Sequence, residues 1–404
     1  MSLNNQKYQI KEIQTDKLEQ TLPKWKEWNS KFNNGIIFQD PEWIIQDSNG
    51  QKENLRLFLL EKYDNSIWFI PFRILKIPLK CQIGEFTLAN IPLKRLHPFN
   101  GYGTLCNYAN LPNDTNVYDL LFSKITDLKK EFDAVYLPGL KTDSFFWEYL
   151  HSSPCIKNHF RVYEPKKQSL RPLIKMDGSF DDYLQKFSSQ ERHNFFRRIR
   201  RLKKEGDIEV VRITKQEDVD AFVDEAIKIS KKSFQYSLLN KGIRDTDKFK
   251  KELKFIANRG WLRSYLLKCG GVGCSFIIGY QDPKNFYHVD IAYDSDWKKF
   301  GVGSILNFLA IEDLFKYNTP HIFDFNDYAE YKGFFSNTSY TEAEIYLFPK
   351  RAYTLFVQSL YHTFSILDKS IRNILEHLHL KRKIKRMIRS LSMSKSKNET
   401  EDAS

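Results

Sequence analysis

Between Phe286 and Phe335 this 404-residue chain sets glycines, lysines and titratable side chains at spacings that could do chemistry. In Lys298-Lys299-Phe300-Gly301-Val302-Gly303-Ser304 two cations stand beside a Gly-x-Gly turn, and a helix follows with Ile305, Phe308, Leu309 and Phe315 on its apolar side. Glycines let backbone approach a ligand, and the unpaired N–H groups of a first helical turn point at whatever is bound. The pattern is that of an anion cradle, suited to the phosphates of a cofactor. An ordinary structural turn carries the same residues, so both readings stand at this level. A dinucleotide fingerprint is excluded, because Leu306 occupies the place of the third glycine. Around the turn lie Asp290, Asp294, Asp324, Glu330, Tyr331 and Lys332. Each could contact a substrate or move a proton; each also has a plain reading, as a cap, a solvated charge or, for Tyr331, a core aromatic.

The elements that must position these residues are legible from periodicity and turn signals. A strand at 286–293 precedes the glycine turn and a short strand at 322–325 follows the helix. Residues 55–60 and 67–72 form one hairpin pattern around Asp64-Asn65, and residues 262–267 and 274–280 form another around Gly270-Gly271. Leu55-Arg56-Leu57-Phe58-Leu59-Leu60 is echoed by Leu262-Arg263-Ser264-Tyr265-Leu266-Leu267, and each hairpin leads to a helical stretch and a short strand, the first at 134–137. Two copies of one α/β unit is the economical reading. Ser179-x-x-Asp182, Ser188-x-x-Glu191 and Thr214-x-x-Glu217 read as capping boxes. The helix after Ser188 should run to Lys204 and stop at Gly206 in a left-handed C′ position. It buries Phe195, Phe196, Ile199 and Leu202 and carries Arg192, Arg197, Arg198, Arg200, Arg201, Lys203 and Lys204. Those charges make either a solvated face or a phosphate-binding one. A strand at 208–213 and helices at 214–232 and 247–258 follow. Leu360, Phe364, Leu367, Ile371, Ile374 and Leu378 mark a packed seam on a long C-terminal helix, ahead of the basic stretch 381–391.

Composition bounds the rest. With 41% hydrophobic and 15% aromatic residues the chain has material for folded cores, and its length favours two of them. The net charge of +13 favours polyanionic company: nucleic acid, an anionic membrane surface, or a phosphorylated cofactor. Neither a membrane-spanning run nor a signal peptide is visible, which points to the cytoplasm. Cys81, Cys106, Cys155, Cys269 and Cys274 read as reduced thiols, and no Cys/His spacing suits a metal. Serine-hydrolase motifs are absent.

Arg192-His193-Asn194-Phe195-Phe196-Arg197-Arg198-Ile199-Arg200-Arg201-Leu202-Lys203-Lys204-Glu205-Gly206 resembles the basic helix of the CelD-like acetyltransferases of the GNAT superfamily. Lys298–Gly303 is similar to the GNAT acyl-CoA loop, with Lys298 where Arg or Gln is usual. Ala292-Tyr293-Asp294 with Gly303, and Phe323-Asp324-Phe325 with Glu330-Tyr331-Lys332 and Phe335, follow that family's order. So do Phe38-Gln39-Asp40-Pro41-Glu42-Trp43 and Phe69-Ile70-Pro71 in the first half. Gly301-Val302-Gly303 replaces a frequent Ser-Pro-Gly, and Asn326-Asp327-Tyr328 replaces a turn that holds glycine. The resemblance implies an α/β fold with mixed sheets and two tandem GNAT-like domains. These are a degenerate copy at 1–165, an acyl-CoA-binding copy at 166–350, and a C-terminal helix and tail at 351–404.

The same resemblance implies an N-acyltransferase using acetyl-CoA or another acyl-CoA on an amino sugar, amino acid or related small acceptor. Lys298, Lys299, Gly301, Val302, Gly303 and Ser304 would hold the pyrophosphate. The backbone of Ile291, Ala292 and Tyr293 would pair with the pantetheine arm. Tyr331 would protonate the leaving thiolate, Asp290 would take the proton of the attacking amine, and Asp324, Glu330 and Lys332 would meet the acceptor. The wider clan includes Fem-type transferases, which take aminoacyl groups from tRNA; the basic helix and net charge agree with that alternative. A non-enzymatic adaptor, docking through the basic C-terminal stretch on membrane or nucleic acid, is the third reading.

Overall fold

The computed structural model describes residues 7–32, 36–47, 52–83, 86–99, 111–233 and 246–377. They form two compact units, one from the described parts of Met1–Arg171 and Tyr340–Leu378, the other from Pro172–Ser339. In the first unit the strands Tyr8–Ile13, Leu55–Lys62, Ile67–Lys76, Lys94–Pro98, Ala134–Lys141 and Thr338–Pro349 lie side by side in that order. All neighbours are antiparallel except Lys94–Pro98 and Ala134–Lys141, which run parallel. The second unit orders Ile208–Ile213, Ser264–Cys269, Val272–Gln281, Asn285–Tyr293, Ile322–Asp324 and Ser169–Lys175. Again one neighbouring pair is parallel, Asn285–Tyr293 with Ile322–Asp324, and the rest are antiparallel. The chain thus writes one mixed α/β topology twice.

Local chemistry explains the hairpins. Gly270 and Gly271 take φ 57° and 79° in the second turn, the primed geometry that matches strand twist, whereas in the first Asn65 takes φ 65° just after a turn closed by Asn65 N donating to Lys62 O at 2.9 Å. Gly206 does not adopt the left-handed cap expected of it. Its place is set by proximity instead, since a Cβ there would lie 2.8 Å from Gly270 Cα. The Ser179 and Ser188 boxes both form. The Thr214 box does not: a 3-10 turn, Gln216–Asp218, intervenes, and the helix starts at Val219.

Ser189–Lys203, the arginine helix, buries Phe195 and Leu202, but Phe196 is 44% exposed rather than buried. On the C-terminal helix Ala352–His377, Leu367 is 44% exposed, so the expected seam is not buried throughout; Thr354, Val357 and Gln358 make its buried face. The basic stretch 381–391 lies outside the described residues.

The helix Val302–Lys316 is buried nearly all round, through Val302, Ile305, Leu306, Phe308, Ala310, Ile311 and Leu314, with Leu309 and Phe315 half-buried. An ionic cluster anchors its far end. Asp313 accepts from Arg212 Nε at 2.9 Å, Arg263 Nη2 at 2.7 Å and Tyr265 Oη at 2.9 Å, while Arg263 Nη2 also donates to Tyr317 O at 3.0 Å. Two guanidiniums at a helix C-terminus also oppose the negative end of its dipole. Burial alone would raise the Asp313 carboxyl; the hydrogen bonds from Arg212 and Tyr265 and the Arg263 charge outweigh it and hold the pKa below the ordinary range.

Replacing Asp313 with Ala should therefore leave two cations without their shared anion and destabilise the second unit by roughly 3 kcal/mol. Urea midpoints at unchanged slope measure it. Because the folded pKa is depressed, the contribution is present above the ordinary carboxylate range and disappears as pH falls through the folded value, a dependence the Ala variant should lack.

Candidate active site

The central strand Asn285–Tyr293 and its parallel neighbour Ile322–Asp324 pair only from Asn285 to Tyr287. Beyond Tyr287 the central strand continues without a partner on that edge among the described residues, so the two strands part. A bulge reinforces the bend: His288 faces Gly279 and Asp290 faces Ile278, leaving Val289 extra. Only glycine fits at position 279, where a Cβ would meet Phe286 Cζ at 2.4 Å and Arg263 O at 2.5 Å. The Val302–Lys316 helix begins beside this opening.

Its start carries no side-chain cap. A 3-10 turn, Ser295–Phe300, ends on Gly301, which stands in the left-handed region at φ 70° as the N-cap. Ile305 N–H donates to Gly301 O at 3.1 Å, the first intrahelical bond, so the N–H groups of Val302, Gly303 and Ser304 precede the ladder. At Gly303 a Cβ would lie 3.3 Å from the Tyr293 ring, a tight contact. At Gly301 a Cβ would lie 3.6 Å from Arg198 Nη1, which brings the arginine helix to the same turn. The Arg201 guanidinium lies 6.0 Å and the Lys299 ammonium 4.7 Å from the Phe300 ring centre, and Lys298 and Lys299 are exposed.

A cleft of about 270 Å³ opens here, lined by Glu191, Asn194, Phe195 and Arg198 of the arginine helix, Ser304, and Tyr331, Phe334 and Phe335 of the short helix Glu330–Phe335. Glu191 and Arg198 are two turns apart on one helix face, about 10 Å. One end of the cleft is therefore cationic and adjoins the uncapped helix, and the other is anionic. Burial, then the charges of Asp327 and Asp290, push the Tyr331 phenol well above its ordinary pKa. Tyr331, 39% exposed, is thus neutral near neutral pH, and the Asp290 carboxylate is near enough for its charge to act on the phenol. Asp290 is exposed, and its Oδ1 accepts from Ile291 N at 2.8 Å. The edge formed by Ile291, Ala292 and Tyr293 faces Ser275, Phe276 and Ile277 on one side.

The other candidates are engaged internally. Asp324 is fully buried, and its Oδ1 accepts from Asn326 N at 2.8 Å. Lys332 is 8% exposed and donates to Phe325 O at 2.9 Å and to the Asp327 carboxylate, closing the loop ahead of Tyr331. Asp294 is 4% exposed, caps the 3-10 turn through Asp296 N and pairs with Lys232 at 3.1 Å. Glu330 is exposed in the first turn of its helix. No group of His, Cys, Asp or Glu that could hold a metal occurs among the described residues.

Residues 189–333 match the family model of the acetyltransferase (GNAT) domain. The likeness is to GNAT acetyltransferase domains and covers that stretch. Among solved structures the chain is similar to FemX, with TM-score 0.56 and 11% identity over 88% of this chain and 100% of that one. A protein of unknown function from Bacteroides thetaiotaomicron scores 0.47 at 12% identity, over 84% of this chain and 99% of that one. A tandem GNAT protein from the clavulanic acid biosynthesis pathway scores 0.41 at 8% identity, over 85% and 98%. At such identities the FemX likeness speaks for fold alone. No curated protein matches the chain in sequence.

The second unit also holds a polar pair that the sequence motifs do not include. His288 is 1% exposed, and its Nε2 donates to Asn307 Oδ1 at 3.1 Å, tying the central strand to the helix one turn past Ser304. Burial and the Lys332 charge push His288 down to about 3, so it is neutral. A polar residue in the middle of an otherwise apolar helix was the available signal, and it has no ligand-specific spacing. Phe335, quoted above among the residues of the resemblance, and its neighbour Phe334 line the cleft, a placement that only the fold reports.

Gly301→Ala should cost about 1–2 kcal/mol through the left-handed conformation alone, read as a lowered thermal midpoint. Serine at 304 faces the cleft without such a constraint, so Ser304→Ala should leave the midpoint within experimental scatter.

Proposed function

We propose that the chain is an N-acyltransferase that uses an acyl-CoA, acetyl-CoA in the simplest case, on the amine of an amino sugar, amino acid or similar small acceptor. One observation carries the reading: an uncapped helix N-terminus, entered through left-handed Gly301, adjoins a cleft that also holds Tyr331. The donor's pyrophosphate would take the amides of Val302, Gly303 and Ser304, with Arg198, Lys298 and Lys299 supplying charge. Its pantetheine arm would follow the free edge of the central strand past Ile291, Ala292 and Tyr293.

In the transfer, the acceptor amine attacks the thioester carbon, the C–N bond forms and the C–S bond breaks. Asp290 takes the amine proton and Tyr331 gives its phenolic proton to the departing thiolate; return of the proton from Asp290 to Tyr331 closes the cycle. Asp324 and Lys332, bound internally, hold the loop that presents Tyr331, and Glu330 is left as the exposed acceptor contact. Cys81, Cys155, Cys269 and Cys274 are free thiols, as a reducing cytoplasm would leave them. No helix among the described residues is long and apolar enough to cross a membrane.

A second donor deserves testing because of the arginine helix. Arg197, Arg200, Arg201, Lys203 and Lys204 are exposed, and none forms a salt bridge with a described residue. Such a face suits the phosphates of an aminoacyl-tRNA.

Calorimetry with acetyl-CoA and with charged tRNA, on the same preparation, separates the two. Saturable CoA binding that Ser304→Trp abolishes is the expected result. Binding of tRNA that weakens steeply with salt, with none of CoA, would replace the proposal with the tRNA-dependent one. Tyr331→Phe should lower kcat about 100-fold with acyl-CoA affinity nearly unchanged, measured by CoA release.

A further inference from the structure

The first unit repeats the topology but not the anion cradle. Its corresponding helix, Thr115–Asp127, is capped by the chain's own Asp114, whose carboxylate accepts from Asn116 N at 3.0 Å. Negative charge already occupies that terminus. Cations gather instead on the neighbouring sheet face. Arg95 and His97 are two apart on Lys94–Pro98 and so share a face, and Arg73 lies directly across from His97. Parallel pairing with Ala134–Lys141 involves only Arg95 and Leu96, so the strands part just where His97 begins.

Arg95 is the unusual member. It is 8% exposed, its guanidinium lies 5.4 Å from the ring centres of both Tyr136 and Tyr346, and Nη2 donates to Pro78 O at 3.0 Å. Its Nε is buried without a partner, and it forms no salt bridge with a described residue. Buried guanidiniums are ordinarily paired with a carboxylate. Glu344, whose charge reaches Tyr136 and Tyr346, is held by Lys166 at 3.1 Å. The His97 ring lies 4.7 Å from that of Tyr136 and makes no hydrogen bond to a described residue.

We propose that Arg95, Arg73 and His97 form a binding site in the first unit for an oxyanion, the carboxylate or phosphate group of a small molecule whose body rests against Tyr136. The anion takes the unpartnered Nε of Arg95 and offers His97 its missing acceptor. Burial, Arg73 and Arg95 together push the His97 imidazole down to about 3. An anion seated among them reverses the charge effect and raises that value.

Inorganic phosphate and malonate are the probes, added to the full chain while the imidazole signals are followed by NMR, with His97→Gln identifying the relevant resonance. Saturable movement of the His97 signal in the millimolar range is expected, with its titration shifted upward at saturation. Response to phosphate alone assigns a phosphate group, and response to malonate alone a carboxylate. Arg95→Gln should weaken the response at least tenfold while acetyl-CoA binding is unchanged; if that variant fails to fold, Arg73→Gln replaces it. An immobile His97 signal up to ~50 mM of either anion, or equal responses in the wild type and the arginine variant, overturns the site.

Discussion

The acyl-transfer reading depends on one helix terminus being left electrostatically unsatisfied. Four N–H groups at the start of any helix need acceptors, and a folded chain ordinarily supplies a Ser, Thr, Asp or Asn to take some of them. At Gly301 there is no side chain to do so, and φ of 70° turns the backbone where an L-residue would be strained. The rest of the second unit maintains that exposure. Asp313, clamped by Arg212 and Arg263, fixes the opposite end of the helix, and the His288–Asn307 bond fixes its middle against the central strand. With both tied, the positive end of the helix cannot turn away from the cleft.

A mismatch in strand length bares one edge of the central strand. Ile322–Asp324 is three residues long and the central strand nine, so pairing must stop early and the longer strand must show an edge. Sheet edges are normally covered or blunted. The arginine helix and the Glu330–Phe335 helix wall the cleft beside Ser304 with Phe195, Phe334 and Phe335. Lys332 closes the loop on which that second wall stands, through Phe325 O and Asp327. Tyr331 is presented because its neighbour is buried.

Much of this is legible in the sequence. Strand and hairpin positions followed from β-prone runs around Asn65 and Gly270-Gly271, and the Gly-x-Gly turn marked the start of the helix. What failed did so for tertiary reasons. Gly206 looked like a left-handed cap, but another glycine's backbone claims the space beside it. Thr214 had a box partner at the right spacing, yet the chain entered the helix through a 3-10 turn. Phe196 matched the apolar stripe and is nevertheless exposed, because the stripe's centre falls on Phe195 and Leu202. Arg198 was one arginine among many, and only the folded chain brings it to Gly301. Spacing along one helix reports which residues share a face; it cannot report what that face meets.

The two copies separate topology from chemistry. Both units part a parallel strand pair, and both set a helix after it. In one, the helix start is bare and cations stand around it; in the other, Asp114 fills the start and the cations move to the strands as Arg73 and Arg95. Arg95 is 8% exposed, with Nε unpartnered and tyrosine rings near its guanidinium. A desolvated guanidinium in that state is costly in an isolated fold and is stabilised where an anion meets it, which is the physical ground of the oxyanion site proposed for the first unit.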